Sequence, residues 1–216
     1  LTPLITLLVG GFIALLVIQP FGAILTQGIF IVLNFVYGTL GVIGAYILSS
    51  TFLPLVSVGL HRALTPIHAL LNDPSGPTVG INYLLPILMM AGGGQVGAAL
   101  ALYIKTKNKK LKKAISASIP AGILGIGEPL MYGVTLPLLR PFVTACLGAG
   151  FGGIVISLLH VGTISQGVSG LFALLIVNPG YQIQFLIGLI ASYIGGFVLT
   201  WFFGHKEDKI NEIFDK

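Results

Sequence analysis

The chain has 216 residues, of which 55% are hydrophobic and 8% are charged, whereas a soluble domain carries roughly 25% charged residues. The net charge of +5 matters less than its placement, because Asp, Glu, Lys and Arg are absent from residues 1–60 and again from residues 141–204. Such stretches exceed the roughly 20 residues that span a bilayer, so the composition excludes an ordinary soluble protein and predicts an integral membrane protein.

The first predicted element is a membrane span over residues 4–18. It has no basic leading region and no small-residue cleavage site, so it does not resemble a signal peptide. Because the sequence begins with Leu1 inside this apolar run, we expect it to be part of a longer protein. Residues 20–37 are apolar but contain Gln27 and Asn34, and they could span the membrane or lie along its surface as a connecting helix.

The next two predicted spans are residues 38–57 and 81–104, with the polar, proline-broken stretch "GLHRALTPIHALLNDPSGPTVG" between them. The run "AGGGQVGAA" in the second of these spans is rich in small residues, which allow helices to approach closely. Six of the eleven basic residues follow in "KTKNKKLKK", residues 105–113. No aromatic residue interrupts these lysines, so the positive-inside bias predicts a cytoplasmic loop rather than a nucleic-acid site.

Residues 114–139 are apolar but contain several prolines and glycines. Each proline removes a helical hydrogen bond, so we expect two half-helices that meet near Gly127 and Pro129. Unpaired backbone at membrane depth is tolerated only against protein or a watery cavity. The pattern therefore predicts a helix break that lies beside protein or water.

The last two predicted spans are residues 141–160 and 182–203, separated by the polar stretch "HVGTISQGVSG" and a short apolar segment. If the lysine loop and the C-terminal tail are both cytoplasmic, the chain between them crosses the membrane an even number of times. Residues 114–139 and 161–178 would then dip into the membrane and return.

Glu128 and Arg140 are the only charges between Lys113 and His205. A carboxylate at the bilayer centre costs roughly 2.5–3.5 kcal/mol, so it should face a cavity or a partner. One interpretation is structural, with Glu128 capping free N–H groups or pairing with Arg140. The other is functional, because broken helices at mid-membrane are where transporters place substrate and ion sites.

His61 and Arg62 follow the first charge-free region. His61 could be a satisfied interior histidine or a ligand, and Arg62 could extend to the membrane interface. The stretch that contains His160 and Thr163 could line a cavity or form an interfacial turn. The single cysteine, Cys146, lies in an apolar segment, which excludes a disulfide framework and gives no reason to expect a reactive thiol.

Three motifs in this order, "GLHRALTP", the lysine run and "GIGEPLMYGVTLPLLRPF", resemble the sugar-translocating enzyme IIC domain of the bacterial phosphoenolpyruvate-dependent phosphotransferase system (PTS). The resemblance is to its glucose, sucrose and β-glucoside group and covers residues 38–204. Many members have Thr at the position of Gly127. The form "GEPLMYGVTLP" followed by "PFVTACLGAG" looks most like transporters for N-acetylmuramic acid (MurNAc).

The resemblance implies an all-α integral membrane protein of the bacterial plasma membrane, a polytopic helical bundle with re-entrant helical hairpins. Residues 1–37 would be the end of an N-terminal half and an amphipathic connector, residues 38–204 the sugar-binding half, and residues 205–216 a cytoplasmic tail. The N-terminal half, most of which lies outside this sequence, would form a homodimer contact.

The resemblance further implies that Glu128, His61, Gly127, Arg62 and Thr163 bind the sugar in a cavity between two hairpins. A carboxylate accepts charge-assisted hydrogen bonds from hydroxyls, and an imidazole can donate or accept. The phosphoryl donor would be a cysteine of a separate IIB domain, recharged by IIA, so this chain would not be catalytic alone. Expected partners are the sugar, the IIB and IIA domains and membrane lipid. No nucleic acid, metal or cofactor is expected, because phosphate-loop and metal-ligand motifs are absent.

Several functions stay open at this point. Within the same family, the substrate could be trehalose, sucrose, a β-glucoside or N-acetylglucosamine (GlcNAc). A proton- or cation-coupled secondary transporter or channel would use Glu128 as its ion site. A membrane scaffold or partner subunit would bind no sugar.

Overall fold

The computed structural model describes residues 2–13, 15–16, 19–20, 24, 27–28, 31, 35–76 and 78–215. The regular elements within these residues are all helical. The described residues form two isolated β-bridges but no β-strand, which confirms the predicted all-α class. In chain order the main helices are α1 (Thr2–Ile13), α2 (Leu40–Ser57), α3 (Thr65–Leu71), α4 (Leu84–Lys105), α5 (Lys109–Leu124), α6 (Arg140–Leu158), α7 (Gln182–Leu199) and α8 (Glu207–Phe214).

Shorter helical segments connect these helices. One π-helical turn lies directly before α2, and a second directly follows α7 and extends it. A 3₁₀ turn lies before α3, and another lies between α6 and α7. Between α5 and α6 lie three consecutive short segments that we call the return arm. These shorter elements are Phe35–Thr39, Leu60–Leu64, Gly170–Leu175 and Thr200–Gly204, and the return arm comprises Glu128–Leu130, Met131–Thr135 and Leu136–Leu138.

Within the described residues, four helices are long and apolar enough to cross a membrane, namely α2, α4, α6 and α7 with its extension. They confirm the predicted spans at 38–57, 81–104, 141–160 and 182–203. The predicted connector at 20–37, including Asn34, lies largely outside the described residues, as does the end of the predicted span 4–18. The proposed domain boundary after residue 37 therefore stays a prediction.

Helix α4 is the centre of the bundle and packs against α6 and α7 through glycines. A Cβ atom on Gly94 would collide with the Ala145 backbone in α6, and one on Gly97 would collide with the Tyr193 backbone in α7. Across the same contact, Ser192 Oγ in α7 donates to Met90 O in α4 over 2.6 Å. The prediction that the small residues of "AGGGQVGAA" permit close helix packing is confirmed.

Helix α5 and the return arm form a re-entrant hairpin, whose two ends lie on one face of the molecule. Lys109, at the start of α5, lines the same surface depression as Glu207. Leu138, at the end of the return arm, lies beside Ile210. Since both neighbours belong to α8, the chain enters the bundle and returns to the face from which it came.

The predicted half-helices on either side of Gly127 and Pro129 are confirmed, because α5 ends at Leu124 and helix resumes at Glu128. The predicted lysine loop, in contrast, is wrong over most of its length. Only residues 106–108 connect α4 to α5, and the later lysines form the first turns of α5. The Asn108 side chain caps this helix by accepting from Leu111 N over 2.9 Å, and Leu111 is fully buried.

The C-terminal tail is a docked helix rather than a free segment. Ile210 of α8 is buried, and Asn108 Nδ2 donates to Asn211 Oδ1 over 3.0 Å. Glu207 Oε1 accepts from Lys107 N over 2.8 Å and from Thr106 Oγ1 over 3.1 Å. The two segments predicted to be cytoplasmic therefore lie on the same face of the molecule.

The same contacts affect the ionisation of Glu207. Burial of this carboxyl group opposes its ionisation, but the hydrogen bonds from Lys107, His205 and Thr106 outweigh burial. Together they hold the pKa of Glu207 below its ordinary value. The side chain is consequently charged at neutral pH, where it accepts the bonds that fix α8 to the loop.

The packing of α4 predicts that Gly97→Ala destabilises the protein, whereas Gly92→Ala on the same helix does not. A Cβ at position 97 would overlap the α7 backbone, while one at position 92 would have its nearest neighbour at 3.9 Å. Overpacking of this kind costs about 1–3 kcal/mol, whereas Ala favours the helix by about 1 kcal/mol over Gly. Thermal unfolding in detergent should show a lower Tm for Gly97→Ala only, and equal Tm values for both variants would contradict this packing.

Candidate functional site

The segment between α6 and α7 has a tip that contacts the tip of the α5 hairpin. Ser169 Oγ donates to Gly125 O over 2.8 Å, and a Cβ on Gly125 or Gly170 would collide with the backbone of the other tip. Both glycines have positive φ angles, 109° and 61°. Glycine is favoured at both positions because it alone combines this conformation with so close a backbone approach.

A third segment, between α2 and α4, reaches the same region. Gly59, two residues after the end of α2, has a φ of 78° and begins the 3₁₀ turn that carries His61 and Arg62. The His61 ring packs edge-on against Phe52, with ring centres 6.3 Å apart. A helix end followed by a tight turn thus places these two residues in the same cavity lining as Gly125 and Ser169, at the two tips.

Asn82 joins this third segment to the segment between α6 and α7. Its backbone forms an antiparallel bridge with Thr163, with hydrogen bonds of 2.9 and 3.0 Å. Its side-chain oxygen caps α4 by accepting from Leu84 N over 3.0 Å, and its Nδ2 lies 3.0 Å from His68 Nδ1. One buried amide therefore fixes the entry to α4 and both neighbouring segments.

The three segments enclose a cavity of about 410 Å³ against α2 and α4. It reaches Gln95, near the middle of α4, so it lies at about the mid-height of a predicted membrane span. The polar side chains and the tip glycines that line it are His61, Arg62, Thr65, His68, Gln95, Gly125, Gly127, Glu128, Gln166 and Ser169. Four of the five residues predicted to bind the sugar are thus brought together.

Glu128 begins the return arm and is exposed to the cavity. In the part of the chain that the structure describes, its carboxylate accepts no hydrogen bond and forms no ion pair. Arg140, one of its proposed partners, lies instead in a depression beside Lys206 and Lys209. The two structural explanations for Glu128, a helix cap and a pair with Arg140, are therefore not realised in this arrangement.

His61 and Arg62 also present unused hydrogen-bonding capacity. His61 Nδ1 is buried and has no hydrogen-bond partner among the described residues. The Arg62 guanidinium is exposed and forms no ion pair within the same part of the chain. The cavity therefore combines one anionic acceptor, one cationic donor and an imidazole nitrogen without a described partner, whereas the other imidazole of the lining, His68, contacts Asn82.

Thr163 does not line the cavity. It is fully buried in its bridges with Asn82 and Val177, where its Oγ1 donates to Asn82 O over 3.4 Å. His160 is exposed at the end of α6 and lies outside the lining as well. The residues of this stretch that do reach the cavity are Gln166 to Ser169.

Gln95 lines the cavity but was not among the predicted site residues. It is 1% exposed, its Nε2 donates to Thr135 Oγ1 over 3.3 Å, and its Oε1 has no partner among the described residues. A Cβ on Gly127 would lie 3.2 Å from this oxygen. The sequence did contain one indication of Gln95, because it is a lone amide side chain in the middle of an otherwise apolar predicted span.

Comparison with known proteins gives one consistent result. A family model described as phosphotransferase system, EIIC, matches residues 1–149. The chain is 45% identical over 212 residues to the "PTS system MurNAc-GlcNAc-specific EIIBC component" of Staphylococcus epidermidis RP62A, which covers 97% of this chain and 44% of that protein. It is 46% identical over 211 residues to the "Putative PTS system EIIBC component YbbF" of Bacillus subtilis 168, covering 98% of this chain and 46% of that protein.

A third relative, the "PTS system MurNAc-GlcNAc-specific EIIBC component" of Staphylococcus haemolyticus, is 46% identical over 212 residues, which cover 97% of this chain and 44% of that protein. The chain thus spans less than half the length of the curated relatives it matches. No solved structure matches it.

The geometry predicts that the Glu128 position is reached by water. In a Cys146→Ala background, Glu128→Cys should react rapidly with a charged, membrane-impermeant thiol reagent added to detergent-solubilised protein. Leu130→Cys, two residues further and fully buried, is the matched control and should react at least about tenfold more slowly. Equal rates at the two positions would contradict an aqueous cavity at Glu128.

Proposed function

Because the chain belongs to the family described as phosphotransferase system, EIIC, we propose that it forms the sugar-binding and sugar-translocating membrane part of such a permease. With four apolar helices of membrane-spanning length among its described residues, it is a multi-pass protein of the bacterial plasma membrane. The observation that carries the proposal is the convergence of Glu128, His61 and Arg62 on one cavity, each with hydrogen-bonding groups left unused by the described residues.

A sugar suits this set of groups. Its hydroxyls donate to the Glu128 carboxylate through charge-assisted bonds, which are about twice as strong as neutral ones. Its oxygens accept from Arg62, and His61 can donate or accept according to its tautomer. Apolar residues of the lining, such as Phe52 and Met89, would cover the carbon faces of the ring.

We further propose that the sugar is MurNAc, alone or linked to GlcNAc. The relatives named above from two Staphylococcus species carry this specificity in their names. The cavity supports it independently, because MurNAc has a carboxylate on its lactyl group and Arg62 is a cation without an acidic partner among the described residues. Arginine binds carboxylates through two parallel hydrogen bonds, a geometry that a neutral sugar cannot satisfy in the same way.

The chain is proposed to bind and orient the sugar, while a IIB domain, recharged by IIA, transfers the phosphoryl group to it. The relatives are named EIIBC components, which supports a IIB partner. Cys146 is buried in the span α6 and is not placed to act as the donor. The homodimer contact in the N-terminal half stays a prediction, as does the division into residues 1–37, 38–204 and 205–216.

Glu128→Gln is expected to lower uptake of radiolabelled MurNAc by about 10- to 100-fold, because it removes the charge that strengthens the bonds to sugar hydroxyls. The assay uses cells that contain the matched IIB and IIA domains, and Glu212→Gln, in the exposed surface of α8, is the control. Amounts of membrane-inserted protein should be equal. Normal uptake by Glu128→Gln would contradict the site.

The same cells distinguish the other functional classes. Uptake should depend on phosphoenolpyruvate and deliver the phosphorylated sugar. Uptake that follows the proton gradient and delivers unmodified sugar would indicate a secondary transporter instead. Absence of binding to trehalose, sucrose, β-glucosides, GlcNAc and MurNAc alike would indicate a scaffold and contradict the proposal.

Arg62→Gln is expected to reduce the affinity for MurNAc by about 10- to 100-fold while changing the affinity for GlcNAc much less, because only MurNAc carries the carboxylate. Competition against a bound radiolabelled sugar in membrane vesicles measures both affinities. His160→Gln, which changes an exposed side chain outside the cavity, is the control. An equal loss for both sugars would contradict a carboxylate-binding role for Arg62.

A further inference from the structure

Gln95, which lines the cavity, has a buried side-chain oxygen without a donor among the described residues. Five buried side-chain atoms lack a hydrogen-bond partner in the described part of the chain, and two of them, Gln95 Oε1 and His61 Nδ1, belong to residues that line the cavity. Buried polar atoms are nearly always paired, so an unpaired one in a residue that lines a cavity marks a place where a ligand group or a water can donate. Gln95 is the more restrictive of the two because its Oε1 can only accept.

The described partner of the Gln95 amide is the hydroxyl of Thr135. The Thr135 hydroxyl lies 3.4 Å from both Leu130 O and Met131 O, to either of which it donates its proton. In the structure the same hydroxyl accepts from Gln95 Nε2 over 3.3 Å. Oε1 is accordingly the atom left without a partner.

The surroundings of this oxygen define the group that fits there. Ala91, one helical turn before Gln95, and Met131 on the return arm both line the cavity and are almost completely buried. Gly127 has no side chain to fill the space beside the oxygen, which would lie only 3.2 Å from a Cβ at that position. This part of the lining thus places one acceptor beside apolar side chains, whereas Glu128 and Arg62 supply the charged groups of the cavity.

We propose that Gln95 Oε1 accepts a hydrogen bond from the N–H of the sugar's 2-acetamido group, whose methyl lies against Ala91 and Met131 in the space left by Gly127. This inference rests on the proposed function and deepens it. An acetamido group has one donor beside a methyl, which matches one acceptor among apolar side chains. Gln95 and Gly127 then select 2-acetamido sugars over sugars with a hydroxyl at that carbon.

The test removes the donor from the ligand and the acceptor from the protein. Affinities for MurNAc and for its 2-O-acetyl analogue, in which an ester oxygen replaces the N–H, are measured on the full-length protein in detergent by competition. The native protein is expected to bind MurNAc about tenfold more tightly than the analogue. In Gln95→Met, which keeps the side-chain length but removes the acceptor, this ratio should fall close to one.

Gln184→Met is the matched control for this substitution. Gln184 Oε1 is also buried and unpaired among the described residues, but it lies in α7 outside the cavity lining. Gln184→Met should therefore keep the tenfold ratio. A ratio near one in the native protein, or an unchanged ratio in Gln95→Met, would overturn the inference.

Gly127→Ala provides a second test of the acetamido site, which can be used if Gln95→Met does not fold. Gly127 has a φ of −81°, which alanine adopts without strain, so the substitution fills the space beside Gln95 Oε1 without changing the backbone. The added methyl should reduce the affinity for GlcNAc relative to glucose about tenfold, and an unchanged relative affinity would overturn the inference. Failure of the native protein to bind any of these sugars would instead contradict the proposed function.

Discussion

The rest of the structure depends on one requirement, which is that the charge of the Glu128 carboxylate must be solvated inside an apolar bundle. This carboxylate lies at a helix break inside an apolar bundle, without an ion pair or hydrogen bond from any described residue. A charge in such a place must be solvated by water or by a ligand. The cavity satisfies this requirement. The contact between Gly125 and Gly170 places the tip of the α5 hairpin and the tip of the segment between α6 and α7 at its wall.

The remainder of the bundle holds this cavity in place. Helix α4 is closely packed because its glycines bring α6 and α7 into backbone contact, and Asn82 fixes its first turn to the segments on either side. At the face of the bundle away from the cavity, α8 lies beside both ends of the α5 hairpin. Binding groups on loops are thus positioned by a close-packed scaffold, which is the arrangement that precise ligand recognition requires.

The sequence predicted the parts of this arrangement that depend on local chemistry. Long charge-free runs located the spans, and the Gly-Glu-Pro pattern located the break and Glu128. The sequence-based predictions failed for residues whose structure or role is decided by contacts with distant parts of the chain. The cap by Asn108 and the burial of Leu111 turn a basic run into helix, and the bridge to Asn82 turns Thr163 into a structural residue. Gln95 was missed because its importance lies in its proximity to Gly127, which spacing along the chain does not reveal.

The most direct test of the central claim is a structure of the full-length protein with MurNAc bound, determined in a lipid nanodisc. The account predicts sugar density between Glu128 and His61, with the Glu128 carboxylate within about 3 Å of a sugar hydroxyl. Density for the sugar at any other place, or a Glu128 side chain that contacts only protein in the sugar-bound state, would contradict it.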